Sequence, residues 1–156
     1  MRFILEHKFW GKSNKDLLEW LNIKSKHEFI FLDVETTGLP SDSYEVQLTQ
    51  ISCIVTEYNF ESNSFNEIDQ FNQKIKLTDK TKSLLNKSRI KKVLSFNRYG
   101  GYNKYFKEND VLSSFLDFIS KYEGSNFIIQ NASFDMRYLN SRSDIKFKNE
   151  VIDTKQ

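Results

Sequence analysis

Four apolar residues in succession, at positions 29–32, precede the acidic residue Asp33. The side chains of a strand point alternately to opposite faces of a sheet, so a strand without polar residues must be covered on both faces. The chain has 156 residues, of which 38% are hydrophobic, and this suits one domain with a substantial core. We therefore predict a central strand that Asp33 closes, in a domain of the α/β class.

Two further strands are predicted after this one. Residues 38–41, Gly-Leu-Pro-Ser, interrupt the regular pattern, and the segment 48–60 then places Ile51, Cys53 and Val55 on one face of a strand. A turn at 61–64 separates it from a third strand at 68–76. These three strands predict an antiparallel meander.

Helical patterns follow the meander. Short helices are predicted at 80–87 and 90–96, and the clearest helix is predicted at 110–122. In that helix the apolar residues recur on one side, as expected of a helix that lies on a sheet, and Asn109 or Asp110 is placed to cap its start.

The last part of the chain returns to strands. Residues 127–129 predict a buried strand, a helix follows from Asn131 to about Ser141, and residues 151–152 open a further strand. The complete order resembles the mixed sheet of ribonuclease H-like folds. We therefore expect three antiparallel strands followed by parallel strands, all flanked by helices.

Residues 1–27 form an extension ahead of the first strand, with one short helix predicted at 14–21. The first apolar run is too short for a signal peptide or a membrane span, so no membrane association is expected. A single cysteine, Cys53, is expected to be buried and reduced. Lysine and asparagine are frequent, as in AT-rich genomes, and we expect a cytoplasmic protein of a bacterial or phage-infected cell.

Asp33 and Glu35 stand two residues apart at the end of the first strand, a spacing that places both carboxylates on one face. Two divalent ions held about 3.5 to 4 Å apart need several oxygen ligands, and carboxylates provide them. The pair therefore predicts a metal site. Carboxylate pairs of this spacing also occur as ordinary solvated surface, so the surrounding sequence decides between the two interpretations.

Two segments resemble motifs of the DnaQ-like (DEDD) 3′–5′ exonuclease family. Residues 31–40 read Phe-Leu-Asp-Val-Glu-Thr-Thr-Gly-Leu-Pro and are similar to its first motif, while residues 129–135 are similar to its second motif, with Gln130 in place of the common histidine. The second motif contributes Asp135, which lies in the first turn of a predicted helix. Taken alone, Asp135 would be explained as an acid at a helix N-terminus.

The resemblance implies a catalytic and metal-binding set made of Asp33, Glu35 and Asp135. It implies two Mg²⁺ or Mn²⁺ ions, with Asp33 between them, Glu35 on the ion that activates water and Asp135 on the other. Four residues match or adjoin substrate-contacting positions, namely Thr36, Leu39, Asn131 and Phe134. Thr36 would donate to a phosphate or sugar oxygen and Leu39 would wedge against the last base. A turn threonine, a core leucine and a helix-capping asparagine are the structural alternatives.

Residues 151–154 resemble the strand that carries an Asp-Thr pair in this family, and Asp153 is not one of its metal carboxylates. The fourth carboxylate and its accompanying His or Tyr base have no match in the sequence, because His7 and His27 stand elsewhere. We expect residues 28–156 to be an exonuclease domain without its last catalytic motif. On that expectation the 156-residue chain would bind Mn²⁺ weakly and turn over slowly or not at all.

Positive charge is concentrated between Lys74 and Lys107, where eleven Lys or Arg residues accompany one acid, Asp79. Aromatic residues are interleaved with them, a combination that suits single-stranded nucleic acid. The residues that we assign to a nucleic-acid patch are Lys87, Arg89, Lys91, Lys92, Arg98, Tyr99 and Tyr102. Solvated lysine-rich helices are the alternative.

These observations predict a 3′–5′ exonuclease that acts on DNA 3′ ends in proofreading or repair. Its predicted partner is single-stranded DNA or a 3′ terminus, with a DNA polymerase as a further candidate, while its oligomeric state is open. An exoribonuclease of the same fold is one alternative. A binding or polymerase-docking module without cleavage is another.

Overall fold

The structure is a computed structural model that describes residues 28–39, 42, 45–59, 62–84, 104–142 and 147–155. Three groups of predictions lie outside the described residues: the extension at 1–27, the short helix at 90–96 and the seven residues of the nucleic-acid patch. They stay predictions.

A mixed sheet of five strands organises the described chain, as predicted. Its strands are β1 (Glu28–Thr36), β2 (Leu48–Asn59), β3 (Ser64–Lys74), β4 (Asn126–Ile129) and β5 (Val151–Asp153). Their order in the sheet is β3-β2-β1-β4-β5, so β1 is central. Each residue at 29–32 is at most 2% exposed, which confirms that this run is covered on both faces.

The prediction that Asp33 closes the first strand is wrong, because β1 continues to Thr36. Beyond Leu32 the burial alternates: Val34 and Thr36 are buried, Asp33 is half-buried and Glu35 is exposed. The second half of β1 is therefore covered on one face and open on the other. An extended backbone accepts charged residues on an open face, and for this reason the acids do not end the strand.

Strands β2 and β3 form a hairpin that is longer than predicted. Strand β3 begins at Ser64 rather than at residue 68 and ends at Lys74. The turn contains Asn63 in a left-handed conformation (φ 51°), which asparagine adopts more readily than most residues. Three of the four added residues, Ser64, Asn66 and Glu67, are polar, and an edge strand that faces solvent on one side accommodates them.

An aromatic cluster packs against one face of β1. Phe29 and Phe31 lie with Tyr58 and Ile128 in a buried cluster, and the half-buried Phe65 covers it. The ring of Phe65 makes edge contacts with all three aromatic rings, at centroid distances of 5.6 Å to Phe29, 5.9 Å to Phe31 and 5.0 Å to Tyr58. The cluster thus joins side chains from four strands, β1, β2, β3 and β4, into one core.

On the edge opposite to β2, strand β1 pairs with the parallel part of the sheet. Strand β4 pairs with β1 in parallel, with Phe31 opposite Ile128, and β5 pairs with β4 in parallel, with Ile129 opposite Asp153. This pairing confirms the predicted change from antiparallel to parallel strands. It also places Asp153 beside the end of β4, where the chain turns into the next helix.

The helices are α1 (Asp79–Leu84), α2 (Glu108–Ser120) and α3 (Ala132–Arg142). Helix α2 packs on β3 through Phe71, whose ring centroid lies 5.5 Å from Phe115 and 5.6 Å from Phe118. In the part of the chain that is described, no helix is long and apolar enough to cross a membrane.

The predicted cap of α2 is wrong. The N-cap residue is Lys107, which makes no side-chain capping hydrogen bond, and the helix begins at Glu108. Asn109 and Asp110 thus lie within the first turn rather than before it. Acids in a first turn interact favourably with the positive end of the helix dipole, so Asp110 supports the helix start without capping it.

The described residues divide into two compact units. Residues 33–53 and 71–122 belong to one unit, and residues 28–32, 54–70 and 123–155 belong to the other. Cys53 lies in the first of these and is buried, as predicted. The predicted boundary between residues 27 and 28 is not tested, because residues 1–27 are not described.

Two buried threonines give a test of how hydrogen bonding stabilises the sheet. Thr56 is 1% exposed, and its hydroxyl has no hydrogen-bond partner among the residues that the structure describes. The hydroxyl of the fully buried Thr37, by contrast, accepts the backbone N–H of Gln47 at 2.9 Å. An unpaired buried polar group costs about 1 to 3 kcal/mol. We expect Thr56→Val to raise the free energy of unfolding by about 1 kcal/mol and Thr37→Val to lower it by a similar amount. Urea unfolding measures both, and a loss of stability in Thr56→Val would contradict this account.

Candidate active site

The open face of β1 carries the first two predicted catalytic residues. Asp33 is half-buried and Glu35 is exposed, while the intervening Val34 is buried on the opposite face. The sheet pleat therefore directs both carboxylates to the same side, as their spacing predicts. Both residues belong to the unit that contains residues 33–53 and 71–122, and the structure brings them together there.

The electrostatics of the pair set it apart from ordinary surface acids. The pKa of Glu35 is raised above its usual value of 4.5, first because neighbouring atoms remove water from the carboxyl group and second because Asp33 is close. The side chain of Glu35 still contacts solvent, so the loss of water is partial. The carboxylates of Asp33 and Glu35 repel each other in a partly desolvated environment, so a bound cation would stabilise the charged form of both.

The loop after β1 is held by hydrogen bonds that include Thr36. The buried hydroxyl of Thr36 donates its only proton to the carbonyl oxygen of Gly38 at 2.6 Å. In this arrangement the proton is not available to a phosphate oxygen, so a nucleotide contact would use the hydroxyl oxygen as an acceptor. The turn interpretation of Thr36 accounts for the observed bond.

Leu39 is displayed on the surface of the same loop. Its side chain is 50% exposed, so it is not a core leucine. The backbone N–H of Leu39 donates to the carboxylate of Asp42 at 2.7 Å, and the N–H of Asp42 donates back to the carbonyl of Leu39 at 2.9 Å. This reciprocal pair fixes the backbone that carries an exposed apolar side chain.

The second motif forms the junction between β4 and α3. Asn131 has a left-handed backbone (φ 61°), and its carbonyl accepts the N–H of Phe134 at 2.9 Å as the helix begins. Asp135 follows in the first turn and is only 3% exposed. The half-buried ring of Phe134 packs edge-on against Tyr138 at a centroid distance of 5.0 Å. Asn131, Phe134 and Asp135 are thus presented by one tight turn.

Asp153 caps the start of α3, a role for which the sequence analysis had considered Asn131. Its carboxylate accepts the N–H groups of Asn131 at 2.9 Å and Ala132 at 3.0 Å, and also that of Lys155 at 2.9 Å. The bond from Lys155 contributes most to lowering the pKa of Asp153 below its usual value of 3.8. A carboxylate at the end of the strand beside β4 could have been recognised as a cap only once the parallel register was known.

The donor set fits a hard divalent ion. Mg²⁺ is commonly held by one or two carboxylates, completed by water and by phosphate oxygens of a substrate, and Asp33 and Glu35 supply such oxygens. Among the residues that the structure describes, no group of three or more His, Cys, Asp or Glu side chains is arranged to hold a metal ion. The pair is therefore the donor set seen in this structure, and its extension to Asp135 stays a prediction.

Comparison with known proteins gives a likeness of fold. No family model matches the sequence, and no curated protein matches it. Among solved structures, E. coli exonuclease I in complex with a dT13 oligonucleotide is similar with a TM-score of 0.57 and 17% identity, over 82% of this chain and 28% of that one.

Two further nucleases share the fold. Cell-death related nuclease 4 (CRN-4) has a TM-score of 0.54 and 18% identity, over 77% of this chain and 41% of that one. The nuclease domain of 3′hExo, a DEDDh family member bound to rAMP, has a TM-score of 0.50 and 13% identity, over 80% of this chain and 63% of that one. The chain thus spans less than two thirds of each of these structures. The likeness confirms the predicted α/β fold with its mixed sheet.

The capping role of Asp153 predicts a pH-dependent loss of stability. Because the folded pKa is lowered, the stabilisation is fully present above the usual value of 3.8 and is lost as the pH falls through the lowered pKa. At neutral pH we expect Asp153→Ala to lower the free energy of unfolding by about 0.5 to 1 kcal/mol, the lower part of the range for helix caps, because solvent screens this exposed group. The exposed neighbour Glu150 provides the control variant Glu150→Ala. Equal unfolding curves for the two variants at neutral pH would refute the cap.

Glu35→Gln tests the repulsion within the carboxylate pair. A raised folded pKa means that the fold favours the neutral acid, so the charged form at neutral pH carries a cost that glutamine removes. In EDTA at neutral pH we expect Glu35→Gln to melt at a higher temperature than the wild type. The same change at Glu57, an exposed acid of β2, should leave the melting temperature unchanged. A lower melting temperature for Glu35→Gln would show that no such cost exists.

Proposed function

We propose that the protein is a metal-dependent 3′–5′ exonuclease that hydrolyses nucleotides from the 3′ ends of DNA. The observation that carries the proposal is the Asp33–Glu35 pair, in which partial burial and the nearby Asp33 raise the pKa of Glu35. The resemblance of two motifs and the likeness to exonuclease folds support it. A proofreading or repair role beside a DNA polymerase is the wider setting that we propose for this activity.

Two Mg²⁺ or Mn²⁺ ions, when bound, would polarise the phosphodiester and lower the pKa of the attacking water. In the proposal, Asp33 would help to hold both ions, Glu35 would help to hold the one that activates the water, and Asp135 would help to hold the other. The water oxygen attacks phosphorus and the bond from phosphorus to the 3′ oxygen breaks. The products are a nucleoside 5′-monophosphate and a strand shortened by one residue with a new 3′-hydroxyl.

The surrounding residues would position the terminal nucleotide. The exposed side chain of Leu39, on a backbone fixed by Asp42, would press against the last base, a contact that every base can make. Thr36 would accept a hydrogen bond from a sugar hydroxyl, and Asn131 and Phe134 would contact the strand near the scissile bond. The choice of these four residues rests on the resemblance of the two motifs, and the acceptor role of Thr36 rests on the donation of its hydroxyl proton to Gly38.

An RNA-directed exonuclease is the second candidate function. The structure of the 3′hExo nuclease domain, which shares the fold, contains rAMP, whereas that of exonuclease I contains a DNA oligonucleotide. One fold therefore accommodates both sugars. Parallel assays on DNA and RNA strands of the same sequence separate the two candidates.

Replacement of Asp33 tests both the metal and the chemistry. In the full-length protein we expect Asp33→Asn to lower the rate of 3′-nucleotide release from a single strand by about 10²-fold or more, because a group that supports the developing charge is lost. We also expect Mn²⁺ binding, followed by electron paramagnetic resonance with a 3′-blocked oligonucleotide present, to weaken. The matched control is Asp117→Asn, which changes an exposed acid of α2.

Two results would contradict the proposal. Nucleotide release that continues in EDTA would exclude the metal mechanism. Mn²⁺ affinity that is the same in Asp33→Asn, Asp117→Asn and the wild type would show that Asp33 is not a ligand, whatever the rate of hydrolysis.

A further inference from the structure

A groove of about 410 Å³ lies beside the end of β3. It is lined by two amides, two lysines and two aromatic residues, which are Asn72, Gln73, Lys74, Lys104, Tyr105 and Phe106. All six belong to the unit that contains residues 71–122. None of them is acidic, so the groove combines positive charge, hydrogen-bonding amides and aromatic surface.

Phe106 is held in an exposed position by its backbone. The chain at Phe106 forms a parallel bridge to Ile75, and the carbonyl oxygen of Phe106 accepts the N–H of Lys76 at 2.8 Å. Ile75 itself is fully buried. The ring of Phe106 is nevertheless 63% exposed. A rigid main chain thus presents a large apolar ring to solvent at the wall of the groove.

One cation of the groove, Lys74, lies close to an aromatic ring. The Nζ atom of Lys74 is 5.7 Å from the centroid of the Tyr105 ring, a distance within the range of cation–π contacts. Lys104, which precedes Tyr105 directly, is exposed. A phosphate at this wall could therefore interact with the ammonium groups of Lys74 and Lys104. The exposed ring of Phe106 belongs to the same wall.

The amide of Asn72 has a fixed orientation. Its side-chain oxygen accepts hydrogen bonds from Gln50 Nε2 at 2.7 Å and from Ser52 Oγ at 3.1 Å. Because the oxygen is used on the sheet side, the amide nitrogen is the group of Asn72 that can donate to a ligand. A donor of this kind suits the carbonyl oxygens at the edge of a nucleobase.

From this combination we propose that the groove is a binding site for an unpaired base of single-stranded nucleic acid and its adjoining phosphate. The base stacks on Phe106, the phosphate interacts with Lys74 and Lys104, and Asn72 donates to the base edge. Cations beside aromatic rings are how proteins bind single strands without sequence preference. The inference does not depend on hydrolysis, since none of the groove residues is a carboxylate of the proposed catalytic set.

A protein partner fits this surface less well. Interfaces between proteins have a well-packed core with large apolar or aromatic anchors, and lysine is depleted there. Among the six lining residues Phe106 is the exposed large apolar side chain, and two of the six are lysines. The chemistry of the groove therefore favours a polyanion with flat bases over a peptide.

Stacking on Phe106 is tested by binding in the absence of metal. The full chain is titrated in EDTA into fluorescent, 3′-blocked dT10 and U10 oligonucleotides, and anisotropy gives the dissociation constant. We expect Phe106→Leu to weaken binding at least about fivefold, the lower end of the effect of a base–aromatic stack. The control is Ile68→Ala, since Ile68 is an exposed apolar residue of β3 that does not line the groove. Loss with both oligonucleotides indicates a site for either sugar, and loss with one identifies the strand that it serves.

An abasic oligonucleotide shows whether the effect comes from stacking. Without bases the wild type and Phe106→Leu should bind with the same affinity, because the ring has nothing to stack on. The phosphate contact is tested by Lys104→Gln, which should reduce the slope of log affinity against log salt by about 0.7. Lys121→Gln, at an exposed lysine outside the groove, should keep the wild-type slope.

The failure of this inference is separable from the failure of the proposed function. If Phe106→Leu binds dT10 and U10 as the wild type does, or if the wild type binds neither, the groove is not a base-binding site, whatever Asp33→Asn does to hydrolysis. If Phe106→Leu loses affinity while Asp33→Asn retains full turnover, the groove inference stands and the catalytic assignment is wrong. A Phe106→Leu defect that persists on the abasic strand would also overturn the stacking assignment.

Discussion

The burial of β1 is the constraint on which the rest of the described structure depends. Within one strand the chain passes from residues covered on both faces, at 29–32, to residues covered on one face, from Asp33 onward. The covered half anchors the strand between β2 and β4, with the ring of Phe65 across it. The open half can then hold charged side chains without burying them fully. The alternation of this open half presents both carboxylates on one face of the strand.

A second junction depends on a single carboxylate. The turn that leads from β4 into α3 contains a left-handed residue, and Asp153 neutralises the first N–H groups of the helix from the neighbouring strand. The parallel pairing of β4 with β5 brings this acid to the required place. The position of Asp135, one turn into α3, therefore depends on a residue 18 positions later in the chain. Acids in this protein thus serve two roles: some are partly desolvated and repel each other, and another is satisfied by backbone donors.

The sequence was sufficient for those features that depend on local pattern. The apolar run at 29–32, the alternation in β2 and the one-sided apolar residues of α2 all gave the correct element, because burial repeats with the period of the structure. Boundaries failed where polar residues occur in regular structure, as at Glu35 in β1 and at Ser64 in β3. The role of Asp153 could not be predicted, because it depends on a register between strands that are separated in sequence. For the same reason the groove at Phe106, which depends on a bridge to Ile75, was not visible as a site.

The left-handed backbone at Asn131 limits how this position can change during evolution. Residues with a branched Cβ are strongly disfavoured at φ 61°, whereas glycine adopts it without cost and aspartate is tolerated. Codons for valine, isoleucine or threonine at this position would place strain at the first turn of α3, next to Asp135. The exposed neighbour Gln130 carries no such restriction. Amino-acid substitutions should therefore be accepted readily at position 130. At position 131 only a very small set of residues should be acceptable.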